Sequence, residues 1–207
     1  MECLNDLVSY QKKVLILAPH PDDESIWCGG LILSHPDQCM VIILTDGQHG
    51  GENGEEQKTI LIRKAEFEKA MQLAGVTSFK QLSAVDGHLS EVDASFLPSL
   101  EGYDIIICPS PWDSHPDHAA VWNLIMQKAQ PYQKILFYDG WSALARPTHY
   151  IELSEELMRR KLELIEVYQS QLRYVNYDER AKSLASFRGL VIYPVMKYAE
   201  VYEEFKN

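Results

Sequence analysis

Short runs of consecutive apolar residues alternate with helical segments along most of this chain. Val14–Ala18, Met40–Thr45, Asp104–Cys108 and Lys134–Tyr138 each predict a strand that is buried on both faces. Such alternation implies right-handed crossovers and a mainly parallel sheet between two helical layers. We therefore expect an α/β fold with three layers. Further helices are predicted over about 25–34, over a long segment that ends at about 74, over about 116–130, and through most of the chain after 154. A weaker strand is predicted over 79–85, and a capping box at Ser90 and Asp93 predicts the start of a short helix.

Composition limits the class of protein. A chain of 207 residues, 46% of them apolar, can form one domain over 1–207 with a substantial core. No apolar run approaches the ~20 residues that span a bilayer, and segment 1–10 lacks the basic start of a secretion signal. We expect a cytoplasmic protein without membrane insertion. The four cysteines form no C-x-x-C pair, which favours reduced thiols, and the net charge of −11 argues against nucleic acid as a partner.

Two polar clusters directly follow predicted strands. The first is Pro19–Glu24, with the sequence PHPDDE, and the second is His115–His118, with the sequence HPDH. Ligands of open α/β sheets bind beyond the carboxyl ends of the strands, so both clusters fall on the binding edge. A metal hydrolase needs two or three protein ligands, an open position for water, and a further acid or base. Two histidines and an aspartate meet the first need, and the other histidine and aspartates meet the last.

Each cluster has a structural explanation when it is taken alone. Two histidines three residues apart often share an exposed helix face, and Asp22 or Asp23 is typical of a helix N-cap. Their joint position at one sheet edge favours the metal site instead.

The two clusters also identify a family. PHPDDE followed by Gly29 and Gly30, with HPDH in the second half, resembles the LmbE-like or PIG-L family of N-deacetylases. The supporting matches to the family pattern are Thr45 and Gly47, then Arg63, Glu66, Ala70 and 73–75, then Asp86, Gly87 and Leu89, and finally Trp141, Tyr168, Ser170, Gln171, Ala199, Glu200 and Phe205.

The resemblance implies a Rossmann-like fold that holds one Zn²⁺ ion, for which Fe²⁺ is an alternative with the same ligands. The implied metal ligands are His20, Asp23 and His118. The implied catalytic residues are Asp22 as general base, His115 as the group that assists the tetrahedral intermediate and the leaving amine, and Asp117 as the group that orients a histidine. Family members remove acetyl groups from N-acetylglucosamine units of varied conjugates.

Four residues are candidate substrate contacts: Arg63, Gln48, Asp86 and Trp112. Arg63 shares the apolar face of its predicted helix with Glu66, which favours either an internal Arg63–Glu66 bridge or a position at the mouth of the site. Gln48 stands where many family members have a glutamate. Trp112 offers a flat face to a sugar ring, whereas Trp141 is favoured as a packing residue.

The leading hypothesis is a metal-dependent hydrolase that removes an N-acetyl group from an amino-sugar-containing small molecule or glycoconjugate. One alternative is a non-catalytic binding protein on a Rossmann-like scaffold, although the G-x-G-x-x-G pattern of dinucleotide sites is absent. Another is a metal hydrolase that acts on a different bond. The expected partner is the substrate itself, and assembly into a homo-oligomer is left open.

Overall fold

Hydrogen bonds join eight strands into one sheet in the computed structural model, which describes residues 1–8 and 11–206. The strands are β1 (Glu2–Cys3), β2 (Val14–Ala18), β3 (Cys39–Thr45), β4 (Ser78–Ala84), β5 (Ile105–Pro109), β6 (Lys134–Tyr138), β7 (His149–Glu152) and β8 (Ala199–Glu204). The helices are α1 (Leu4–Val8), α2 (Asp23–Ser34), α3 (Glu56–Ala74), α4 (Pro116–Met126), α5 (Glu155–Glu166), α6 (Gln169–Leu172) and α7 (Tyr177–Val191).

The strand order is β1-β7-β8-β6-β5-β2-β3-β4. The five strands from β6 to β4 are parallel, and β8 pairs antiparallel with both β6 and β7. From β2 the chain moves outward to β3 and β4, then returns to β5 on the other side of β2. The order therefore reverses at β2, and such a reversal opens a crevice beyond the carboxyl ends of the two central strands.

Side chains of the central strand β2 are buried on both faces of the sheet. Val14, Ile16 and Ala18 belong to a core shared with α2, α3, α5 and α7, whereas Leu15 and Leu17 belong to a second core that includes α4. All five residues have no exposed surface, which explains the continuous apolar run. The predicted α/β fold with a mainly parallel sheet between helical layers is confirmed. Within the described residues, no helix has the length and apolar composition of a membrane span.

Some local elements differ from expectation. The expected helix over 116–130 ends at Met126. The capping box expected at Ser90 and Asp93 is wrong: the segment forms two 3-10 turns, Leu89–Glu91 and Ala94–Phe96, and the Asp93 side chain caps the second by accepting from Ser95 N at 2.8 Å. An Asx-type bond to the residue two positions on needs no regular helix, so Asp93 supports a turn as well as it supports a cap.

Gly30 of α2 allows close approach of the C-terminal part of the chain. Its N–H donates to Glu200 Oε1 at 2.6 Å, and the same oxygen accepts from Lys161 Nζ at 2.6 Å. A Cβ atom at position 30 would overlap Leu153 Cδ2 and lie 2.9 Å from Glu200 Cδ. The glycine is therefore required by packing between α2, α5 and β8.

We expect Gly30→Ala to lower the free energy of unfolding by about 1–3 kcal/mol, as overpacking does. The measurement is denaturant unfolding. Gly29→Ala is the matched control, because the atom nearest to its Cβ would be Lys161 Cγ, at 3.0 Å, with no overlap of the kind found at position 30. The control should change stability by less, since alanine also gains helix propensity there. Equal destabilisation by the two variants would contradict this packing argument.

Candidate active site

A polar cavity opens at the crevice beyond β2 and β5. The loop that follows β2 is held there by Thr45 at the end of β3, whose N–H and Oγ1 both donate to Pro19 O, at 3.0 and 2.8 Å. The loop that follows β5 leads into α4. Both predicted clusters therefore reach the same cavity, as the sheet-edge rule requires. The residues that line it are His20, Asp22, Asp23, Trp27, His49, Gly50, Arg63, Asp86, His115, Trp141, Gln171 and Tyr177.

Asp23 lies between two buried histidines. Its Oδ2 is 3.2 Å from His20 Nδ1 and 3.2 Å from His118 Nε2. Its Oδ1 accepts from Trp27 Nε1 at 3.0 Å, one helical turn further along α2. The structure thus brings together the three residues that the family resemblance implies as metal ligands.

His118 indicates that this cluster suits a metal. Its side chain is fully buried, and neither ring nitrogen has a hydrogen-bond partner among the described residues. A buried polar group without a partner is costly, by about 1–3 kcal/mol. Nitrogen and carboxylate donors are the ligands that Zn²⁺ takes in catalytic sites. The residues present therefore fit a divalent metal.

Carboxylates face the outer nitrogens of both histidines. His20 Nε2 is 3.0 Å from Asp86 Oδ1 and 3.1 Å from Asp117 Oδ2, and His118 Nδ1 is 3.6 Å from Asp113 Oδ2. Although burial acts in the opposite direction, the hydrogen bond from His20 lowers the pKa of Asp86 to about 2. Carboxylates in such positions fix the tautomer and orientation of ligating histidines.

Asp113 was not identified from the sequence. Its Oδ1 accepts from His115 N at 2.8 Å, and its Oδ2 accepts from Ser142 N at 3.4 Å. It therefore ties the loop after β5 to the loop after β6. Its position two residues before His115 was the available signal, but a lone loop aspartate is more often an ordinary turn residue.

Three histidines also converge at this site. His20, His115 and His118 can each place one ring nitrogen within 4.8 Å of the others, and so can His20 with oxygens of Asp86 and Asp117. The Asp23 cluster differs in that one carboxylate oxygen joins two buried histidines, at 3.2 Å from a nitrogen of each, and in that its members are the ligands that the family resemblance implies. We favour that cluster on this ground.

Asp22 has an unusual backbone conformation. Its φ is 136° and its ψ is −33°, and it occupies the N-cap position of α2 without a side-chain cap bond. A non-glycine residue in a sparsely populated region costs about 1–3 kcal/mol and often marks a functional position. The simple N-cap explanation for Asp22 therefore fails, since the side chain points into the cavity instead. Burial raises the pKa of Asp22 to about 7, although the Arg63 guanidinium opposes this shift.

Arg63 holds Asp22 in place. Its Nη2 donates to Asp22 Oδ2 at 3.2 Å and to Pro21 O at 2.7 Å, and its Nη1 donates to Gly47 O at 3.1 Å. The alternative of an internal Arg63–Glu66 bridge is wrong. Glu66 instead accepts from Ser170 N and Oγ, at 2.8 and 2.6 Å, because α6 packs against α3 at this point.

His115 is the N-cap residue of α4. Its Nδ1 accepts from Asp117 N at 3.3 Å, so the neutral ring carries its proton on Nε2. The ring centroid is 4.8 Å from that of His20 and 5.0 Å from that of His118. Burial, together with the positive charge of these two histidines, lowers the pKa of His115.

The expected substrate contacts divide into two groups. Arg63 and Asp86 line the cavity, whereas Gln48 and Trp112 do not. Gln48 Nε2 faces His49 Nε2 at 3.3 Å. Trp112 is 70% exposed and packs edge-on against Phe137, with ring centroids 6.2 Å apart.

The roles expected of the two tryptophans are exchanged: Trp141, which was expected to be a packing residue, lines the cavity, and Trp112 does not. The Trp141 ring centroid lies 6.3 Å from that of Tyr177, which begins α7. Gln171 of α6 also reaches the cavity, and its Nε2 donates to Gly50 O at 2.9 Å. The sequence did not place Trp27, Gln171 or Tyr177 at the site, and the only signals were the spacing of Trp27 from Asp23 and the family match at Gln171.

Comparison with known proteins identifies the family of the chain. The model of the PIG-L family, described as GlcNAc-PI de-N-acetylase, matches residues 15–129, which is more than half of the chain and includes both clusters. A diacetylchitobiose deacetylase of Thermococcus kodakarensis is 33% identical over 128 residues, which cover 56% of this chain. The chain spans only 48% of that relative's length.

Two further proteins match over most of the chain. A probable N-acetyl-alpha-D-glucosaminyl L-malate deacetylase 2 of Bacillus anthracis is 24% identical over 185 residues, covering 78% of this chain and 82% of that protein. The solved structure of N,N'-diacetylchitobiose deacetylase from Pyrococcus horikoshii has a TM-score of 0.76 and 25% identity, and covers 94% of this chain and 84% of the other. The family resemblance seen in the sequence is thereby confirmed, and the chain belongs to the PIG-L family.

Proposed function

We propose that this protein is a metal-dependent deacetylase that hydrolyses the N-acetyl group of an amino sugar in a small molecule or glycoconjugate. The observation that carries the proposal is the buried cluster of His20, Asp23 and His118, with Asp22 beside it in one open cavity. Zn²⁺ is the proposed ion, and Fe²⁺ suits the same donors. A divalent ion held there supplies the Lewis acidity that polarises an amide carbonyl and acidifies water.

Asp22 is the proposed general base. Arg63 donates to Oδ2, and no hydrogen bond reaches Oδ1 within the part of the chain that the structure describes. The carboxylate is therefore held on one side while its other oxygen is free to accept a proton from water. A positioned base of this kind contributes about 10²–10⁴ in rate.

His115 is the proposed donor to the reacting amide. Its Nδ1 accepts from Asp117 N, so Nε2 carries the proton and is available to donate to the group that develops charge. Water adds to the amide carbon, and Nε2–H stabilises the oxygen that becomes negative. The C–N bond then breaks, the leaving amine takes the proton that Asp22 accepted from water, and the products are acetate and the free amino sugar. Asp86, Asp113 and Asp117 are proposed to keep His20 and His118 in their orientations.

We expect His115→Ala to reduce kcat by about 10²–10³, which is the loss found when one oxyanion donor is removed. The effect should fall on kcat more than on KM, because the contact strengthens only as charge develops. Steady-state kinetics of acetate release provide the measurement. A change confined to KM would make His115 a substrate-binding residue instead.

The direct test measures acetate and free amine from N-acetylated compounds with the zinc-loaded protein and with a chelator-treated sample. Panels of N-acetylglucosamine glycosides and N-acetyl amino acids are compared by kcat/KM. The sugar panel should include neutral and anionic members, since diacetylchitobiose is neutral and a malate conjugate carries carboxylates. A site that binds hydroxyl groups rejects analogues without them by up to about 10⁴.

The outcomes separate the alternatives. Preference for the sugar panel, lost with chelator, supports the proposal. Equal or reversed preference would contradict the amino-sugar assignment, and no acetate from either panel would contradict deacetylation itself. The cytoplasmic location, the single domain over 1–207 and assembly into a homo-oligomer stay predictions.

A further inference from the structure

An arginine stacks on two tryptophans that line the cavity. Trp27 of α2 and Trp141 of the loop after β6 both line the cavity. Arg180, in the first turns of α7, lies against both: its guanidinium carbon is 4.3 Å from the ring centroid of Trp141 and 5.1 Å from that of Trp27. Stacking on two indole rings fixes the position of this guanidinium group beside the cavity.

Arg180 has spare hydrogen-bonding capacity. Among the described residues, its hydrogen bonds are two contacts of 3.5 Å from Nη2, to Gly140 O and Trp141 O, and no carboxylate lies within 4.0 Å of its nitrogens. Nearby arginines differ. Arg63 is paired with Asp22, and Arg188 donates to both oxygens of Asp139 at 2.9 and 2.5 Å.

The chain has 30 acidic and 19 basic residues, yet no acidic side chain pairs with Arg180 among the described residues. The side chain is half-buried, so part of its hydration is lost without a charged partner in return. An anionic ligand group would supply that partner through charge-assisted, two-pronged hydrogen bonds.

The placement indicates which part of a ligand Arg180 would meet. The acetamido group must reach His20 and Asp23, which are 7% and 4% exposed and form the base of the cavity. Trp141 is 39% exposed, so the cavity wall that it forms extends towards solvent. The part of the substrate beyond the amino sugar therefore passes along the wall beside Arg180. Asp22, Asp23 and Asp86 would repel an anion at the base, which leaves the wall as the favourable position for negative charge.

We propose that Arg180, stacked on Trp141 and Trp27, is a specificity residue that binds a carboxylate or phosphate group on the aglycone of the amino sugar. This inference rests on the proposed deacetylase function. It assigns the substrate to the anionic N-acetylglucosaminides rather than to neutral chitin-type oligosaccharides.

The experiment compares three matched substrates: methyl N-acetylglucosaminide, an N-acetylglucosaminide with a carboxylate-bearing aglycone, and N-acetylglucosamine 1-phosphate. Acetate release by wild type, Arg180→Gln and Arg180→Lys gives kcat/KM for each. Wild type should prefer an anionic substrate. Arg180→Gln should reduce that preference by about 10–100-fold, mainly through KM, because a hydrogen bond to a charged group is lost. Arg180→Lys should retain part of the preference for the anionic substrate, since lysine keeps the positive charge but lacks the two parallel N–H donors of the guanidinium group.

Arg173→Gln is the matched control. Arg173 also stacks on an aromatic ring, with its guanidinium carbon 5.9 Å from the centroid of Tyr174, but that ring does not line the cavity, whereas both rings that contact Arg180 do. The control should leave the substrate preference as it is in wild type. Thermal unfolding of each variant shows whether the fold is retained. The more strongly affected anionic substrate identifies the carboxylate or the phosphate as the recognised group.

A binding measurement separates this inference from the proposed function. Calorimetric titration of the neutral and anionic compounds into wild type and Arg180→Gln needs no turnover. Weaker binding of only the anionic compounds to the variant supports Arg180 even if no acetate is released, an outcome that would contradict the deacetylase proposal alone. An equal effect on neutral and anionic compounds, or no effect on either, overturns the assignment of Arg180.

Discussion

His118→Ala should remove most of the bound metal from a protein that stays folded. His118 is fully buried, and its Nε2 faces Asp23 Oδ2 at 3.2 Å without hydrogen-bond geometry. Loss of a residue that merely orients a ligand already weakens metal binding by about 10–100-fold, so loss of a direct ligand should cost at least about 100-fold. Elemental analysis after zinc loading and gel filtration gives the metal content per chain.

His88→Ala is the control for this experiment. His88 is exposed and faces Glu91 rather than the cavity, so its replacement should leave the metal content unchanged. His118→Asn is a second variant that fills more of the buried space than alanine does, in case the cavity left by alanine prevents folding. A full metal complement in folded His118→Ala and His118→Asn would show that His118 is not a ligand.

The third ligand can be settled in the same assay. Asp23→Asn should lose metal, because the carboxylate lies between both ligating histidines, whereas His115→Ala should retain it. The reverse result would favour the cluster of His20, His115 and His118, which can also bring three nitrogens within 4.8 Å of one another. Deacetylation would remain a valid proposal with either set of ligands. If His115 were a metal ligand, however, it could not also act as the proposed hydrogen-bond donor to the amide.

The parallel part of the sheet could be predicted because strands buried on both faces need continuous apolar runs, and β2, β3, β5 and β6 have them. The C-terminal strand β8 gives no such signal. Its sequence AEVYEE mixes acidic and apolar residues, and its buried Glu200 is neutralised by Lys161 of α5 at 2.6 Å. A partner 39 positions away in sequence cannot be identified from the strand itself.

The centre of the site could be predicted for a related reason. Its residues fall in two short clusters, each directly after a strand, so the sheet-edge rule is enough to bring them together. The cavity wall could not be predicted from the sequence. Gln171 and Tyr177 belong to helices that pack on α3 and α2, and no local sequence pattern reveals that packing. The prediction that Trp112 contacts the substrate failed although Trp112 is close to His115 in sequence, because its ring packs on Phe137 instead.

Asp22→Asn should leave the metal in place and reduce turnover by about 10²–10⁴. Asparagine is nearly isosteric, and its side-chain oxygen can still accept from Arg63 Nη2, which lies 3.2 Å from Asp22 Oδ2. The backbone at φ 136° should be no less favourable for asparagine than for aspartate, because the two side chains have nearly the same shape. The amide cannot accept a proton from water, so the change removes the base and little else.

The adjacent aspartate supplies the contrast that makes this result interpretable. Asp22→Asn and Asp23→Asn differ by one position, yet the first should lose turnover alone and the second should lose metal and turnover together. Elemental analysis, thermal unfolding and kcat are measured on both proteins. Metal loss in Asp22→Asn with retention in Asp23→Asn would reverse the two assignments. Substantial turnover in metal-loaded Asp22→Asn would mean that another group takes the proton, and the strained backbone at Asp22 would then serve only to shape the loop.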